Sequence, residues 1–433
     1  MGADIVAAHN DRGQMLYSLH EAAYNSAMPV RIAAEAARDF WSSPLNPAAN
    51  SKLGRTIYAS ADLLSNLTRR YSRPQWGIEQ VTVKQKPVAV RQDVVWRSPW
   101  VKLRRFSREP IDLRRARAPL AAPPLLIVAP LSGHFATLLR GTVETFLQDF
   151  DVYVTDWSNA RDVPIIDGRF DFHDYIDQIR DILRHIGERA HVVAVCQPGP
   201  PVLAAAALLA EDGDPHRPAS MSFLGSPIDA RLAPTATNRL AEDKPFAWFQ
   251  EAMIYTVPAP YGGVMRRVYP GFVQLYSFMS MNAEKHQEAH QRYFGNLVEG
   301  DGDSAEKHRE FYDEYLSVLD LTEEFYLQTI DVVFQRYLLP KGELEHRGRK
   351  VDLGKITDVA TMSVEGENDD ISGVGQTQAV HALLPNLPDE LHELYVQPKV
   401  GHYGVFNGRR FNDEIYPRIR DFIERSEAAV VAG

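Results

Sequence analysis

Residues 191–204 constrain the fold of this chain more than any other stretch. His191-Val192-Val193-Ala194-Val195 is an apolar run that passes directly into Cys196-Gln197-Pro198-Gly199-Pro200-Pro201 and then into an Ala/Leu segment. That is a strand, a sharp turn and a helix in immediate succession. Proline suits the start of the helix, where its missing N–H would have no intrahelical partner. The same alternation extends to either side, with candidate strands at 88–96, 100–106, 125–129, 152–155, 192–195, 221–224, 359–364 and 394–396. Amphipathic helices fall between several of them, such as 175–186 with Ile176, Ile179, Leu183 and Ile186 on one face. Near-continuous apolar strands spaced by helices imply a mostly parallel sheet with helices on both faces. The first two candidates are close enough to pair as a hairpin at one edge.

The alternation stops near Pro234 and resumes near Thr357. It divides the chain into an N-terminal helical extension (1–85), a first part of the α/β core (86–233), a helical insertion (234–356) and a second part of the core (357–433). Within the extension, 14–71 reads as two helices carrying Met15, Leu16, Leu19 and Ala23, then Ile57, Leu63, Leu64 and Leu67, at near-helical spacing. Ser42-Ser43-Pro44-Leu45-Asn46-Pro47 separates them and Ser72-Arg73-Pro74 closes the section. So short a piece buries little core alone, so it is expected to dock on the rest. The insertion has a different texture: 18 aromatic residues lie between 246 and 337, in a chain with 6 Trp, 18 Tyr and 19 Phe. A segment that interrupts a sheet and carries this load suits a cap over a site, with Trp248 and Phe249 as candidate substrate contacts. The plainer alternative is that its rings form the insertion's own core.

Composition excludes several classes. Lys+Arg 47 against Asp+Glu 57 gives a net charge of −10, which argues against nucleic acid as a partner. No run approaches the roughly 18 apolar residues of a membrane span, and the longest, 202–210, is too short. Residues 1–24 carry Asp4, His9, Asp11 and Arg12 and so lack the apolar centre of a secretory signal. The single cysteine rules out an intrachain disulfide framework and a Cys-based zinc site. The reducing cytoplasm is the expected compartment.

That one cysteine begins the turn. The helix behind it offers free N–H groups and a positive dipole end that favour thiolate over thiol, so Cys196 is a candidate nucleophile rather than a buried structural thiol. No Gly-x-Ser-x-Gly occurs anywhere. A nucleophile elbow of this kind takes its acid and its histidine from later in the chain, in that order. Glu365-Gly366-Glu367-Asn368-Asp369-Asp370-Ile371 follows the next-to-last strand; Asp369 is the candidate acid, Asp370 the close competitor and Glu367 the weaker one. Of 14 histidines, only His402, in Gly401-His402-Tyr403-Gly404, follows both at the end of a strand. His381, in a helix, and His392, at a strand start, read as structural. In the expected chemistry His402 takes the thiol proton, Cys196 attacks an ester carbonyl, His402 protonates the leaving alcohol, and Asp369 fixes the ring tautomer.

The tetrahedral oxyanion needs two backbone donors. One is the Gln197 N–H. The other comes from Pro130-Leu131-Ser132-Gly133-His134, where Leu131 is first by position and Ser132 second. Ser132 and His134 are also candidate substrate contacts, although a local hydrogen bond is the plainer role for His134. His286 and His290 share a helix face without a third ligand, so no metal is assigned. Arg104, Arg105, Arg108, Arg114, Arg115 and Arg117 form a basic run that reads as exposed surface. No Gly-rich phosphate loop occurs, so no nucleotide cofactor is expected.

Val-Cys-Gln-Pro-Gly-Pro (195–200), Ala-Pro-Leu-Ser-Gly-His-Phe-Ala-Thr-Leu-Leu-Arg (129–140), Tyr-Val-Thr-Asp-Trp (153–157), Glu-Gly-Glu-Asn-Asp-Asp-Ile (365–371) and Gly-His-Tyr-Gly-Val-Phe (401–406) together resemble the intracellular polyhydroxyalkanoate (polyhydroxybutyrate) depolymerases of bacteria, over almost the full length. The resemblance implies an α/β-hydrolase fold with Cys in place of Ser, and a triad on Cys196, Asp369 and His402. It also implies hydrolysis of amorphous poly(3-hydroxybutyrate) at the surface of cytoplasmic granules. The turn departs from the general hydrolase elbow in having Ala194 and Pro198 where glycines are usual. Two rivals remain. A polyhydroxyalkanoate synthase-like acyltransferase also uses a Cys on this fold, though with Gly where Pro198 stands here. A non-catalytic granule-binding protein would use Trp248 and Phe249 to hold polymer and would not need an ordered Cys, acid and His.

Overall fold

A computed structural model describes residues 16–281 and 283–432. Met15 and the charged residues Asp4, His9, Asp11 and Arg12 lie outside them. The strands are β1 (Gln80–Val83), β2 (Lys86–Arg97), β3 (Val101–Arg108), β4 (Pro124–Val128), β5 (Asp151–Trp157), β6 (His191–Val195), β7 (Ser220–Leu224), β8 (Tyr255–Thr256), β9 (Arg267–Tyr269), β10 (Leu321–Thr322), β11 (Glu345–His346), β12 (Arg349–Lys350), β13 (Ala360–Gly366) and β14 (His392–Gln397). Nine of them form one sheet in the order β1-β2-β3-β5-β4-β6-β7-β13-β14. Neighbours from β5 to β14 are parallel; β1, β2 and β3 are antiparallel, as is the β3–β5 pair. The expected edge hairpin is β2–β3. An antiparallel edge, the crossed order β5-β4 and a parallel remainder with a sharp turn after β6 make this the α/β-hydrolase fold.

The parallel strands are apolar throughout because helices cover both faces of the sheet. Phe172–Ile186 is one such helix. It starts at a capping box, in which the Asp171 carboxylate accepts from the Asp174 N–H and the Asp174 carboxylate from the Asp171 N–H, both at 2.9 Å. Its buried stripe contains the expected Ile176, Ile179 and Leu183 together with Ile182. Trp157 at the end of β5 stacks on Tyr175 of this helix at 4.3 Å, and Tyr175 stacks on Phe325 of the insertion at 5.4 Å. Sheet, helix and insertion thus share one core.

Three local features differ from the sequence reading. The first N-terminal helix breaks at Ala27 into residues 16–26 and Met28–Ser42, with Pro29 in the first turn of the second piece. β1 lies in the extension, past the segment read as helical and where no strand was expected, joined to β2 through Lys84 and Gln85 at φ 46° and 62°. The insertion, read as helical, also holds a small antiparallel sheet, β10-β9-β8. The extension is docked: Ala59 of Lys52–Thr68 packs with Tyr293 and Leu297, and Tyr17 Oη donates to Asp320 Oδ2 at 2.6 Å in a buried site.

The arginine run is largely paired rather than free. Arg105 bridges Asp151 at 2.7 Å, Arg104 bridges Asp156, Arg115 bridges Asp112 at 3.1 Å, and Arg108 donates to the Gln148 carbonyl at 2.6 Å. Among the described residues, no helix is long and apolar enough to cross a membrane.

Candidate active site

Register brings the site together. β4 pairs with β6 so that Val128 lies opposite Ala194, which sets the loop after β4 beside the turn after β6. Val195 lies opposite Leu224 and Gly366 opposite Gln397, so the turns after β7, β13 and β14 open at the same edge of the sheet. Cys196 leaves β6 at φ 65°, the left-handed region that L-residues with a Cβ rarely adopt. The conformation is held by its N–H donating to the Leu224 carbonyl at 2.8 Å and its carbonyl accepting from the Gly199 N–H at 3.2 Å. The tight approach expected of a glycine near position 198 falls one residue later. A Cβ on Gly199 would lie 2.5 Å from that of Ser226. Pro198 is therefore accommodated, with αR backbone angles of −62° and −13°.

His402 is buried in a short 3₁₀ turn, His402–Val405. Its Nδ1 lies 2.8 Å from Asp369 Oδ2, and Asp369 Oδ1 accepts from the N–H groups of Ile371 at 2.9 Å and Ser372 at 2.8 Å. That separates Asp369 from its two competitors. Asp370 is exposed, and Glu367 is exposed and accepts from the Lys399 N–H at 2.8 Å. Burial, the largest single influence on the His402 ring, disfavours its charge; Cys196 and Asp369, each by charge and hydrogen bond, outweigh it and raise the pKa well above 6.5. Asp369 and Cys196 thus flank the His402 ring, Asp369 through a hydrogen bond at Nδ1. His381 and His392 are away from it, joined Nδ1 to Nδ1 at 2.8 Å, with His381 Nε2 on Ser363 Oγ.

One residue of this site was not foreseen. Gly225, at φ 57° directly after β7, has His402 and Asp369 so close that a Cβ would stand 3.1 Å from His402 Cε1 and 3.3 Å from Asp369 Oδ2. Its sequence signal is slight, a single Gly between a strand and Ser226-Pro227.

The loop after β4 requires a correction. Leu131 does line the site, but its N–H is not a free donor: it donates to Gln197 Oε1 at 3.2 Å in a buried contact. A side chain 66 residues away therefore occupies the group expected to face the oxyanion. The backbone N–H of Gln197 makes no hydrogen bond among the described residues, and neither do the N–H and hydroxyl of Ser132. His134 is buried and its Nε2 meets the Tyr315 carbonyl at 3.0 Å; burial lowers its pKa to about 4, the carbonyl contact opposing. It anchors the loop to the insertion, as does the Leu319 N–H on the Gly133 carbonyl at 2.7 Å.

Cys196 and His402 open into a cavity of about 530 Å³ between core and insertion. Leu131, Ser132, His134, Gln197, Trp248 and Phe249, all picked out from sequence, contribute to its wall, with Tyr269, Phe325, Tyr326 and Tyr403 adding further rings. Phe249 is only 2% exposed. Both rings expected to hold polymer thus belong to an internal wall. The volume lies within the range of small-ligand sites, and an apolar wall with few polar groups suits an uncharged ligand. Among the described residues no group of three or more His, Cys, Asp or Glu is arranged to hold a metal ion. His286 and His290 are taken up in ring contacts, His286 Nδ1 with Tyr312 Oη at 2.8 Å and His290 against His308.

The family described as PHB de-polymerase C-terminus matches residues 225–427, which include Gly225, Asp369 and His402. The chain is 24% identical over 301 residues to the poly(3-hydroxyalkanoate) polymerase subunit PhaC of Haloferax mediterranei, covering 66% of this chain and 55% of that protein. It therefore spans about half the length of the curated relative it matches. Among solved structures it is similar to a putative lipase of Acinetobacter baumannii (13% identity, 79% and 93% of the two chains, TM-score 0.39). It is also similar to a thermophilic esterase of Thermogutta terrifontis (13%, 78% and 98%, TM-score 0.41).

Proposed function

We propose that this protein is a carboxylic ester hydrolase that cleaves poly(3-hydroxybutyrate) or a related polyhydroxyalkanoate through Cys196, His402 and Asp369. The observation that carries the reading is a left-handed Cys196 beside His402, whose Nδ1 is hydrogen-bonded to Asp369, at the wall of an apolar cavity. The match of residues 225–427 to a depolymerase family supports the substrate class. His402 takes the thiol proton, which turns Cys196 into the nucleophilic thiolate. Attack on an ester carbonyl forms a tetrahedral oxyanion facing the Gln197 N–H. Collapse transfers the acyl group to sulfur while His402 delivers its proton to the departing alkoxide. His402, now neutral, removes a proton from water, the hydroxide attacks the thioester, and the hydroxy acid leaves. Asp369 keeps Nδ1 protonated so that Nε2 does the work. The polymer partner and a cytoplasmic granule location belong to the same proposal.

The test is intact-protein mass after brief exposure to a 3-hydroxybutyrate ester, with the adduct located by peptide mapping. One acyl group on the peptide containing Cys196 is expected. Cys196→Ala is expected to abolish release of soluble hydroxy acid from amorphous polymer. Activity surviving in that variant contradicts the mechanism.

A second reading is polymer synthesis, favoured by the likeness to a polymerase subunit. The same acyl-cysteine then passes its acyl group to a chain-end hydroxyl instead of water. Incubation with 3-hydroxybutyryl-CoA separates the two: CoA release with polymer growth selects the transferase.

A further inference from the structure

Any acyl transfer at Cys196 must stabilise an oxyanion with two or more donors, and hydrogen-bond accounting at the site leaves one place unfilled. The Gln197 N–H is free. The Leu131 N–H is committed to Gln197 Oε1, and a donor so engaged cannot serve a developing charge at full strength. The next residue, Ser132, is half-buried, lines the same cavity as Cys196 and His402, and carries a hydroxyl with no partner among the described residues. Its place is fixed from both sides. Leu131 is tied to the elbow by Gln197, and Gly133 is tied to the insertion by Leu319. Gly133 turns the chain at φ 109°, with the Gln274 side chain lying where a Cβ would project.

We propose that the Ser132 hydroxyl donates to the oxyanion opposite the Gln197 N–H, and that the Gln197 carboxamide is a positioning residue that holds the loop in register with the elbow. The proposal rests on Cys196 acting as an acylated nucleophile. It would give the site a side-chain donor free to follow the oxygen as it moves from trigonal to tetrahedral.

The experiment compares Ser132→Ala and Ser132→Thr with the parent protein in two reactions. One is turnover of 4-nitrophenyl butyrate, which passes through an oxyanion. The other is modification of Cys196 by methyl methanethiosulfonate, in which the thiolate attacks a sulfenyl sulfur, methanesulfinate leaves, and no oxyanion forms. Ser132→Ala is expected to lower kcat about tenfold or more, with KM and the rate of thiol modification unchanged and Ser132→Thr restoring turnover. A kcat unchanged in Ser132→Ala overturns the proposal. A parallel fall in both reactions also overturns it, since the hydroxyl would then be shaping the elbow rather than meeting the substrate. Ester turnover that persists in Cys196→Ala identifies the nucleophile assignment as the failing premise, which the Ser132 variants alone would not do.

Discussion

At the scale of single residues, the site depends on opposing electrostatic influences on one imidazole. Burial works against charge on His402, and only the adjoining sulfur and carboxylate reverse it. Cys196→Ala removes the sulfur beside the ring, so its pKa is expected to fall, and an NMR titration of its Cε1 proton would reveal the drop. An unchanged value would mean that Asp369 alone sets it. The sign carries into stability. A pKa raised on folding contributes stability that is fully present below about 6.5, the unfolded value, and is lost as pH rises through the folded value. The Cys196→Ala variant should therefore show a weaker loss of stability on the alkaline side. That these residues would meet was legible in sequence because a lone Cys at a strand–helix turn, and a His after the final strand, each have few alternatives. The choice between Asp369 and Asp370 was not legible, since adjacent residues in one turn differ only in which carboxylate meets His402. Nor was the engagement of Leu131, which depends on the rotamer of a glutamine across the site.

At the scale of elements, long apolar strands and a strongly amphipathic helix could be read directly, whereas short or irregular pieces could not. β1 has four residues, and its turn uses Lys84 and Gln85 in left-handed conformations where sequence rules look for Asn or Gly. β8 and β10 have two residues each, too few for any periodicity to register. Phe172–Ile186 illustrates the legible kind, and its capping box gives a prediction. Asp171→Ala leaves the Asp174 N–H without its acceptor and should cost about 1 kcal/mol, read as a lower midpoint in urea. Hydrolysis of a soluble ester should be unaffected, because Asp171 only starts a helix that packs behind the sheet.

At the scale of the whole molecule, the insertion and the core are two halves of one cavity. Trp248 lies in its wall beside Phe249. Trp248→Ala is accordingly expected to lower kcat/KM about tenfold, equivalent to ~1.4 kcal/mol of lost contact, on polymer and on a soluble ester alike. Retention on sedimented polymer should be unchanged. A defect confined to the insoluble substrate would instead make this ring a surface anchor. The reacting atoms come from the ends of β4, β6, β13 and β14, and the last to join is His402. A nascent chain could thus have its thiol, its acid and most of its sheet in place on the ribosome and still be inert. On the proposed mechanism catalysis needs the final strand paired with β13, so the onset of turnover during refolding would report that pairing.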